Sequence, residues 1–475
     1  MSDIAGMAHL LRQRTVSLLG LLAGCAVLPA AVVHFFGKTE VQIPGAVHFL
    51  PIAISAGLAA AAALVLTVAG ARRGDGRAVL IGTAFSSMAA LLSIHGLTTP
   101  GFLVGDNGLV AFSGALTLPV GGAVLALSAI PELRRPSAVR PVLALQGALL
   151  VAIVALGLTG ILAPSFVPGV PEAASTPAYI VLGIGLVFYG ALAVRAGRTF
   201  ILTRRFADLA VVYGLVLLAV ALVPGLLMQY YELGWWLGHA WELIGIGLVG
   251  VPVALDLHRG AQSRPLVGDL RASELVSAAD AFMGPTVRAL LVRLAHKDDY
   301  TAAHTRGVAL RAVQVGEELG LPPARLRELA IGGLVHDVGK LAVPSEILQK
   351  PGALTDEEYD EIKRHPELGS DLVRQLGFSA QVARLVLDHH ERLDGSGYPR
   401  GLGAPDLDIE TRILAVCDVF DALLSRRVYR PAWTLETALE LLRSESGTSF
   451  DPACVEALER VIAREQGESA RAAAA

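Results

Sequence analysis

The sequence contains little cysteine and little surplus charge, and each absence excludes a class of protein. Its three cysteines, Cys25, Cys417 and Cys454, stand far apart and form no Cys-x-x-Cys pair, which argues against a disulfide framework or a structural zinc site. The formal net charge is −4, so the chain lacks the basic surplus of a nucleic-acid binder, and we expect no nucleic-acid partner. The chain has no internal repeat, and its 475 residues suffice for two or three domains.

Apolar residues, in contrast, are in large excess, and the excess lies in the first 257 residues. Hydrophobic residues make up 53% of the chain and the mean hydropathy is +0.56, which is too apolar for an ordinary soluble protein. Eight runs are long enough to cross a bilayer as helices: 15–36, 48–71, 78–98, 109–130, 141–163, 177–196, 207–229 and 234–257. The sequence therefore predicts an all-α fold with an eight-helix transmembrane bundle over residues 15–257, after an N-terminal tail at 1–14.

Arginines between the predicted spans indicate how the bundle is oriented. When alternate loops are compared, one side of the membrane carries twelve arginines and the other carries only Lys38. The arginines are Arg12, Arg14, Arg72, Arg73, Arg77, Arg134, Arg135, Arg140, Arg195, Arg198, Arg204 and Arg205. Because positively charged loops stay in the cytoplasm, we predict a multi-pass protein of the cell membrane with both termini cytoplasmic. A lipoprotein-type cleavage before Cys25 is a weaker alternative, since the apolar run continues to Phe36.

Several ionisable residues fall near the predicted outer ends of the spans. They are His34, His48, His95, His239 and Glu242. Ionisable groups at membrane depth are costly, so one hypothesis is an outward-facing sensor site for a metal, a haem or a small ligand. The simpler interpretation is an aromatic belt, in which the histidines reach water beside Trp235, Trp236 and Trp241.

After the last span the composition becomes that of an ordinary soluble protein. Residues 258–297 are charged and compatible with a helix, which Gly284-Pro285 interrupts because proline lacks a backbone donor and clashes with the preceding turn. We expect a helical signalling linker over 258–297 and an all-α domain over 298–465. The alanine-rich end, 466–475, is expected to be a disordered tail.

Histidines and aspartates of the soluble half fall on helix faces that otherwise carry apolar residues. The set is His304, His336, Asp337, His365, His389, His390 and Asp418. A carboxylate on an apolar face is costly unless it is paired, hydrogen-bonded or bound to a metal. Mixed histidine and carboxylate ligands suit iron, manganese or zinc, so the pattern predicts a metal site of the kind found in hydrolases.

The order of these motifs resembles the HD-GYP family, a branch of the HD superfamily of metal-dependent phosphohydrolases. The similarity covers about residues 298–462. It rests on His336-Asp337, on the run from His389-His390-Glu391 through Asp394-Gly395-Ser396-Gly397-Tyr398-Pro399, and on Tyr300-Thr301, Arg412-Ile413-Leu414-Ala415, Tyr429-Arg430 and Phe450-Asp451-Pro452. The resemblance implies an all-α HD-GYP domain over 298–465 that hydrolyses cyclic di-GMP.

The same resemblance implies a role for each residue of the site. Two divalent transition-metal ions, iron or manganese rather than zinc, would be held by the histidines and aspartates. His304, His336, Asp337 and Asp418 would bind the first ion, and Asp337, His365, His389 and His390 the second. Asp337 would then bridge the two ions, and Lys340 would meet a phosphate oxygen of the substrate. Two cations stabilise the charge that develops in an in-line displacement at phosphorus.

The glycine-rich loop is expected to shape the substrate side of the site. Its residues are Asp394, Gly395, Gly397, Tyr398 and Pro399. In relatives this loop is tied to partner contacts, so Gly397-Tyr398-Pro399 is a candidate contact for diguanylate cyclase domains. The resemblance also suggests a homodimer.

Two positions depart from the family pattern. Gly307 stands where relatives commonly have arginine, which would weaken a local ion pair but removes no ligand. Tyr300 stands one helical turn before His304, where relatives with a third metal have glutamate. A phenol with an ordinary pKa near 10 is a poor ligand at neutral pH, so we expect two ions rather than three.

Three other functions remain open from the sequence. The HD domain would equally suit another nucleotide such as cyclic GMP-AMP. Alternatively, the chain would be a receptor that senses a nucleotide and recruits partners without turnover, although the complete ligand set argues against this. Transport by the membrane half is disfavoured, because no pair of broken helices or buried acid marks a transport site.

Overall fold

The computed structural model describes residues 20–99, 108–128, 136–163, 173–203, 205–258, 272–297, 301–425 and 432–473, together with 130, 133, 166 and 167. The chain divides into two compact units, Met1–Leu270 and Arg271–Ala475. Within the described ranges both units consist of helices and their connections, and the β-structure there is limited to isolated bridges. The predicted all-α fold class is confirmed.

Seven helices among the described residues of the first unit are long and apolar enough to cross a membrane. They are α2 Gly45–Arg73, α3 Gly76–Leu97, α4 Leu109–Leu127, α5 Val139–Leu162, α6 Thr176–Thr203, α7 Phe206–Leu227 and α8 Leu233–His258. A shorter apolar helix, α1 Gly20–Phe36, coincides with the described part of the predicted first span, and residues 15–19 lie outside the described residues. The helices follow the predicted spans closely, except that α6 continues beyond residue 196 to Thr203.

The turn between α2 and α3 is set by two adjacent residues. Gly74 ends α2 with a left-handed backbone (φ +67°), which glycine adopts without steric cost. The Asp75 carboxylate then caps α3 by accepting hydrogen bonds from the backbone N–H groups of Arg77 and Ala78, both at 3.1 Å. This tight connection lets α2 and α3 pack side by side.

Close helix contacts in the first unit depend on small residues. An added Cβ on Gly214 of α7 would lie 2.9 Å from Leu248 Cβ, and one on Gly245 of α8 would lie 2.7 Å from Leu218 Cγ. Glycine at both positions therefore lets α7 and α8 approach closely, as is common between membrane helices. The helix α8 also packs on α2, so α2, α3 and α8 are neighbours. The start of α2, the end of α3 and the start of α8 lie at one end of this bundle.

The second unit consists of shorter helices. They are α9 Ala272–Phe282, α10 Gly284–Lys297, α11 Thr301–Glu318, α12 Pro323–Val335, α13 Ser345–Leu348, α14 Asp356–Lys363, α15 His365–Gln375, α16 Ala380–Asp388, α17 Ile409–Leu424, α18 Leu435–Ser444 and α19 Pro452–Ala473. A 3-10 turn, Val338–Leu341, follows α12. Thr355 caps α14 in a reciprocal arrangement with Glu358, in which each side chain accepts a hydrogen bond from the backbone N–H of the other residue.

The core of the second unit forms where α11, α12, α16 and α17 pack together. The helices α11 and α12 come very close, because a Cβ on Gly333 would lie 2.6 Å from Ala309 Cα. The fully buried Glu410 of α17 forms an ion pair with both arms of the Arg325 guanidinium on α12. A bidentate ion pair of this kind fixes the register of the two helices as well as their contact.

The predicted linker and tail each show one informative feature. The break between α9 and α10 falls at Gly284-Pro285, where Gly284 adopts φ +75°; residues 259–271 of the linker lie outside the described residues. The last helix, α19, continues to Ala473, whereas the sequence analysis assigned 466–475 to a disordered tail. Alanine is the best helix former, so its abundance there favours continuing the helix. Residues 474–475 lie outside the described residues.

Candidate metal centre

The seven histidines and aspartates singled out in the soluble half converge in the core of the second unit. His304 lies on α11, His336-Asp337 follow α12, His365 begins α15, His389-His390 follow α16, and Asp418 lies on α17. They form two groups, and within each group the potential ligand atoms lie within 4.8 Å of one another. The first group is His304, His336 and Asp418, and the second is Asp337, His365, His389 and His390.

Asp337 lies between the two groups. Its Oδ2 is 3.5 Å from Nε2 of His336, and its Oδ1 is 3.3 Å from Nε2 of His365 and 4.0 Å from Nε2 of His389. The Lys340 ammonium donates to Oδ2 at 2.7 Å from one turn later. Burial alone would raise the pKa of Asp337, but Lys340 and the surrounding imidazoles hold that pKa well below its usual range. Asp337 is therefore a carboxylate with one oxygen facing each group.

Three of the histidines are oriented by the backbone in the same way. Nδ1 of His336 is 2.8 Å from the carbonyl oxygen three residues earlier, and the corresponding distances are 2.7 Å for His365 and 2.8 Å for His389. A carbonyl oxygen can only accept a hydrogen bond, so each Nδ1 carries the proton. Burial lowers the pKa of His336 and of His389, which keeps both rings neutral. Each neutral ring then presents the lone pair of Nε2 to the cluster.

The resulting arrangement of nitrogen lone pairs fits a bound cation. Nε2 of His365 and Nε2 of His389 face each other at 3.3 Å. Within the described ranges, Nε2 of His336 is buried without a hydrogen-bond partner. Buried acceptors without a donor are costly. A divalent metal ion is the partner that neutral imidazole and carboxylate groups share, so the donor set fits a metal.

His304 is held between two carboxylates. Its Nε2 is 3.0 Å from Asp418 Oδ1, and its Nδ1 is 2.8 Å from Asp421 Oδ2. Burial alone would lower the pKa of His304, but the hydrogen bonds to Asp418 and Asp421 outweigh it and raise the pKa to about 9. Asp421 therefore orients the imidazole from the side opposite Asp418, in the manner of carboxylates behind metal-binding histidines.

Asp421 belongs to this cluster, although the sequence-based ligand set did not include it. Its spacing, three residues after Asp418 on the same helix, was the available signal. The structure also gives Gly307 a role, since a Cβ there would lie 2.6 Å from Asp421 Oδ1. The absence of a side chain at position 307 thus leaves room for the Asp421 carboxylate beside His304.

The loop after His390 is fastened to the cluster through Glu391 and Asp388. The buried Glu391 carboxylate accepts hydrogen bonds from the backbone N–H groups of Arg400 at 2.7 Å and Leu402 at 2.9 Å. Asp388 accepts two hydrogen bonds from the Arg400 guanidinium, at 3.1 and 2.6 Å. The pairing of Asp388 with Arg400 could not be predicted from the sequence, because residues twelve positions apart across a loop show no periodic pattern.

The predicted loop residues shape one wall of the cluster. The Tyr398 ring packs on the His390 ring, with centroids 4.7 Å apart and planes inclined by 31°. Asp394 closes a turn by accepting from the backbone and hydroxyl groups of Ser396, at 2.9 and 2.7 Å. Gly397 approaches the backbone so closely that a Cβ would lie 2.4 Å from Glu391 Cα. Pro399 follows, and Gly395 adopts φ +78°.

The histidines singled out in the first unit separate into two kinds. His48, His95 and His239 form a third group whose ring nitrogens lie within 4.8 Å of one another, and Glu242 lines the same cavity. His34 is exposed, and its ring packs edge-on against Phe35 at 5.0 Å, apart from that group. Of the residues that carried the family resemblance, Tyr300, Tyr429 and Arg430 lie outside the described residues.

Most of the second unit matches a known protein family. The family described as HD domain matches residues 289–454, which contain all seven ligand candidates. Residues 289–454 form an HD domain. This confirms the family resemblance at the level of the HD domain, whose His-Asp dipeptide is His336-Asp337.

Curated relatives of the HD domain include named phosphodiesterases. The cyclic di-GMP phosphodiesterase response regulator RpfG of Xanthomonas campestris is 44% identical over 177 residues, 37% of this chain and 47% of the relative. A cyclic di-GMP phosphodiesterase of Pseudomonas aeruginosa is 37% identical over 213 residues, covering 44% and 51%. The 3'3'-cGAMP-specific phosphodiesterase 3 of Vibrio cholerae is 34% identical over 183 residues, covering 38% and 40%. The chain thus spans about half the length of these relatives.

Proposed function

We propose that the chain is a membrane-bound phosphodiesterase whose HD domain hydrolyses cyclic di-GMP at a centre of two metal ions. The observation that carries the proposal is the pair of histidine and aspartate groups that share Asp337. One group would hold one ion through His304, His336 and Asp418. The other would hold the second through His365, His389 and His390. Relatives named cyclic di-GMP phosphodiesterases support the choice of substrate.

Asp337, Lys340 and Tyr398 of the HD domain each have a separate role in the proposed hydrolysis. When bound, two divalent ions supply positive charge that stabilises an in-line displacement at the phosphodiester. Asp337 supplies one carboxylate oxygen to each group and so fixes their spacing. Lys340, whose ammonium lies beside Asp337, supplies a further positive charge for a phosphate oxygen. Tyr398, packed on His390, offers an aromatic face beside the cluster on which a guanine base can stack.

Cyclic GMP-AMP is the second candidate substrate. It is favoured by the relative from Vibrio cholerae whose name specifies 3'3'-cGAMP. The purified full chain, supplied separately with manganese, iron or zinc, should be incubated with cyclic di-GMP, 3'3'-cGAMP and cyclic di-AMP, and the products separated by chromatography. We expect the highest turnover with cyclic di-GMP. Faster turnover of 3'3'-cGAMP would show that this nucleotide, and not cyclic di-GMP, is the preferred substrate. Binding without hydrolysis of any of the three nucleotides would indicate a receptor.

Asp421→Asn is expected to weaken metal binding by the first group without unfolding the HD domain. The amide keeps the shape of the carboxylate but loses the charge that holds His304. Carboxylates that support a ligating histidine change metal affinity by about 10-fold to 100-fold. Competition with a chelator measures this affinity, and excess metal should restore turnover. The control is Asp360→Asn, an aspartate with 69% side-chain exposure, and equal affinities in the two variants would contradict the role.

The arginine distribution leads us to propose that both termini are cytoplasmic and that the chain lies in the cell membrane. The seven long apolar helices and α1 give the even number of crossings that this orientation requires. Reporter fusions at Gly76 and at the C-terminus should behave as cytoplasmic, and a fusion at Asn107 should behave as external. A cytoplasmic signal at Asn107 would overturn the orientation.

The remaining partners are proposals of the same kind. A homodimer and regulation of the HD domain by a signal at the membrane unit fit a receptor with an attached enzyme. Gly397-Tyr398-Pro399 is a candidate contact for diguanylate cyclase domains. A pull-down with a purified cyclase domain, compared between the unchanged chain and Tyr398→Ala, tests that contact.

A further inference from the structure

Three histidines converge inside the helix bundle of the first unit, and none of them belongs to the HD domain. His48 lies near the start of α2, His95 near the end of α3 and His239 near the start of α8, which are neighbouring helices. His48 and His95 are each 4% exposed. An aromatic belt would place such side chains at the lipid surface, where they reach water. These side chains instead face one another, whereas His34 is exposed and lies outside the group.

The hydrogen bonds of His95 fix the direction of its lone pair. Its Nδ1 lies 2.6 Å from the carbonyl oxygen of Val110 and therefore carries the proton. Gly114 packs against the same ring, since a Cβ there would lie 2.9 Å from Nδ1. Nε2 of His95 is thus left as an acceptor, and it points at Nε2 of His48, 3.2 Å away.

His239 completes the group from α8. Its Nε2 is buried and has no hydrogen-bond partner among the residues that the structure describes. Its ring centroid lies 4.8 Å from that of His48 and 5.8 Å from that of His95. An unpaired polar atom inside an apolar bundle is costly, and such a residue in a membrane segment marks a functional site by default. The unpaired nitrogen of His239 and the facing nitrogens of His48 and His95 can bind one shared cation.

The spacing between His48 and His95 fits one shared metal ion better than two axial ligands of a haem. Two imidazoles that bind one tetrahedral ion at ordinary bond lengths lie about 3.4 Å apart, close to the 3.2 Å between His48 and His95. Axial ligands on opposite faces of a haem iron would lie about 4 Å apart, twice one metal–nitrogen bond. All three pairs of ring nitrogens lie within 4.8 Å, so a third imidazole can reach the same ion.

The surroundings of the group also suit a cation. The three histidines line one cavity of about 810 Å³, and Glu242, 7% exposed, lines it too. Glu242 follows His239 by three residues on α8 and so lies on the same face of that helix. The carboxylate would balance part of the charge of an ion, and the cavity leaves room for a fourth ligand.

We propose that His48, His95 and His239 form a binding site for a single divalent transition-metal ion, copper or zinc, in the membrane unit. Imidazole is a preferred ligand for both metals, and the group contains no thiolate that would select a softer ion. This site is separate from the HD domain and its role does not depend on the hydrolase reaction.

The test compares four forms of the full chain purified in detergent: unchanged, His239→Gln, His95→Gln and His34→Gln. Each is stripped with a chelator and titrated separately with Zn²⁺ and Cu²⁺, and bound metal is counted by mass spectrometry. The unchanged chain and His34→Gln should bind one ion more per chain than the other two variants. His239→Gln removes Nε2, for which the described part of the chain offers no hydrogen-bond partner, so the variant should keep the fold, which circular dichroism checks.

Fluorescence quenching locates the extra ion. The His48 ring lies 4.7 Å from the Trp235 ring and 5.7 Å from the Trp236 ring, and the chain has only four tryptophans. Cu²⁺ should therefore quench most of the tryptophan emission in the unchanged chain and in His34→Gln, but not in His239→Gln. Equal metal content and equal quenching in all four forms, or binding at millimolar metal only, would overturn the proposal.

Discussion

Replacing Asp337 with alanine is expected to abolish hydrolysis and to lower the metal content of the HD domain. Both oxygens of Asp337 face ligand groups, at 3.5 Å from His336 and 3.3 Å from His365, so its removal affects both at once. Metal ions contribute several kcal/mol of transition-state stabilisation, and losing that amount lowers turnover by about 1,000-fold or more. Turnover of cyclic di-GMP and metal analysis on the same sample measure the two effects.

The matched control for this change is Asp360→Ala. Asp360 lies on α14, is 69% exposed, and pairs with Lys363 on the surface. An exposed pair of this kind contributes little, so stability, metal content and turnover should stay close to those of the unchanged chain. Near-normal turnover in Asp337→Ala, with the control also active, would contradict the assignment of Asp337.

The second large effect is expected from Gly339→Ala, which should destabilise the HD domain and disrupt the second ligand group. A Cβ at position 339 would lie 1.9 Å from the carbonyl oxygen of His365 and 2.6 Å from the backbone nitrogen of Gly369. Both are backbone atoms of α15, so no side-chain rotation relieves the clash. The 3-10 turn must separate from α15, and His365 then moves away from Asp337.

Crowding of this severity is expected to lower the free energy of unfolding of the HD domain by about 3 kcal/mol. Gly352→Ala is the control, because a Cβ there meets no atom within 4 Å. Chemical denaturation of both variants, followed by circular dichroism, gives the comparison. Unchanged stability and metal content in Gly339→Ala would show that the close approach to α15 is not required.

The convergence of the seven ligand candidates could be predicted from the sequence, because each of them lies on a regular apolar pattern. His304 and Asp418 continue helical faces whose other members are buried, so their inward direction follows from a period of 3.6 residues. The long apolar helices of the first unit could be predicted equally well, because a run of about twenty apolar residues is a strong local signal. The break at Gly284-Pro285 likewise depends on two adjacent residues.

Features that depend on how helices rotate against one another were beyond the sequence. His34, His48, His95 and His239 all lie near the ends of apolar runs, but only the last three turn toward a common point. The hydrogen bond that His304 donates to Asp421 joins residues 117 positions apart, and no local sequence pattern predicts it. Both depend on tertiary packing, which hydropathy and periodicity do not report.

Anomalous X-ray scattering from crystals of the metal-loaded chain counts the ions of the HD domain most directly. Data collected at the absorption edges of manganese, iron and zinc should show two peaks, one within His304, His336 and Asp418 and one within His365, His389 and His390, with Asp337 between them. A single peak would contradict the two-ion centre. A fully occupied third peak beside Tyr300 would contradict the count inferred from the replacement of glutamate by tyrosine at that position.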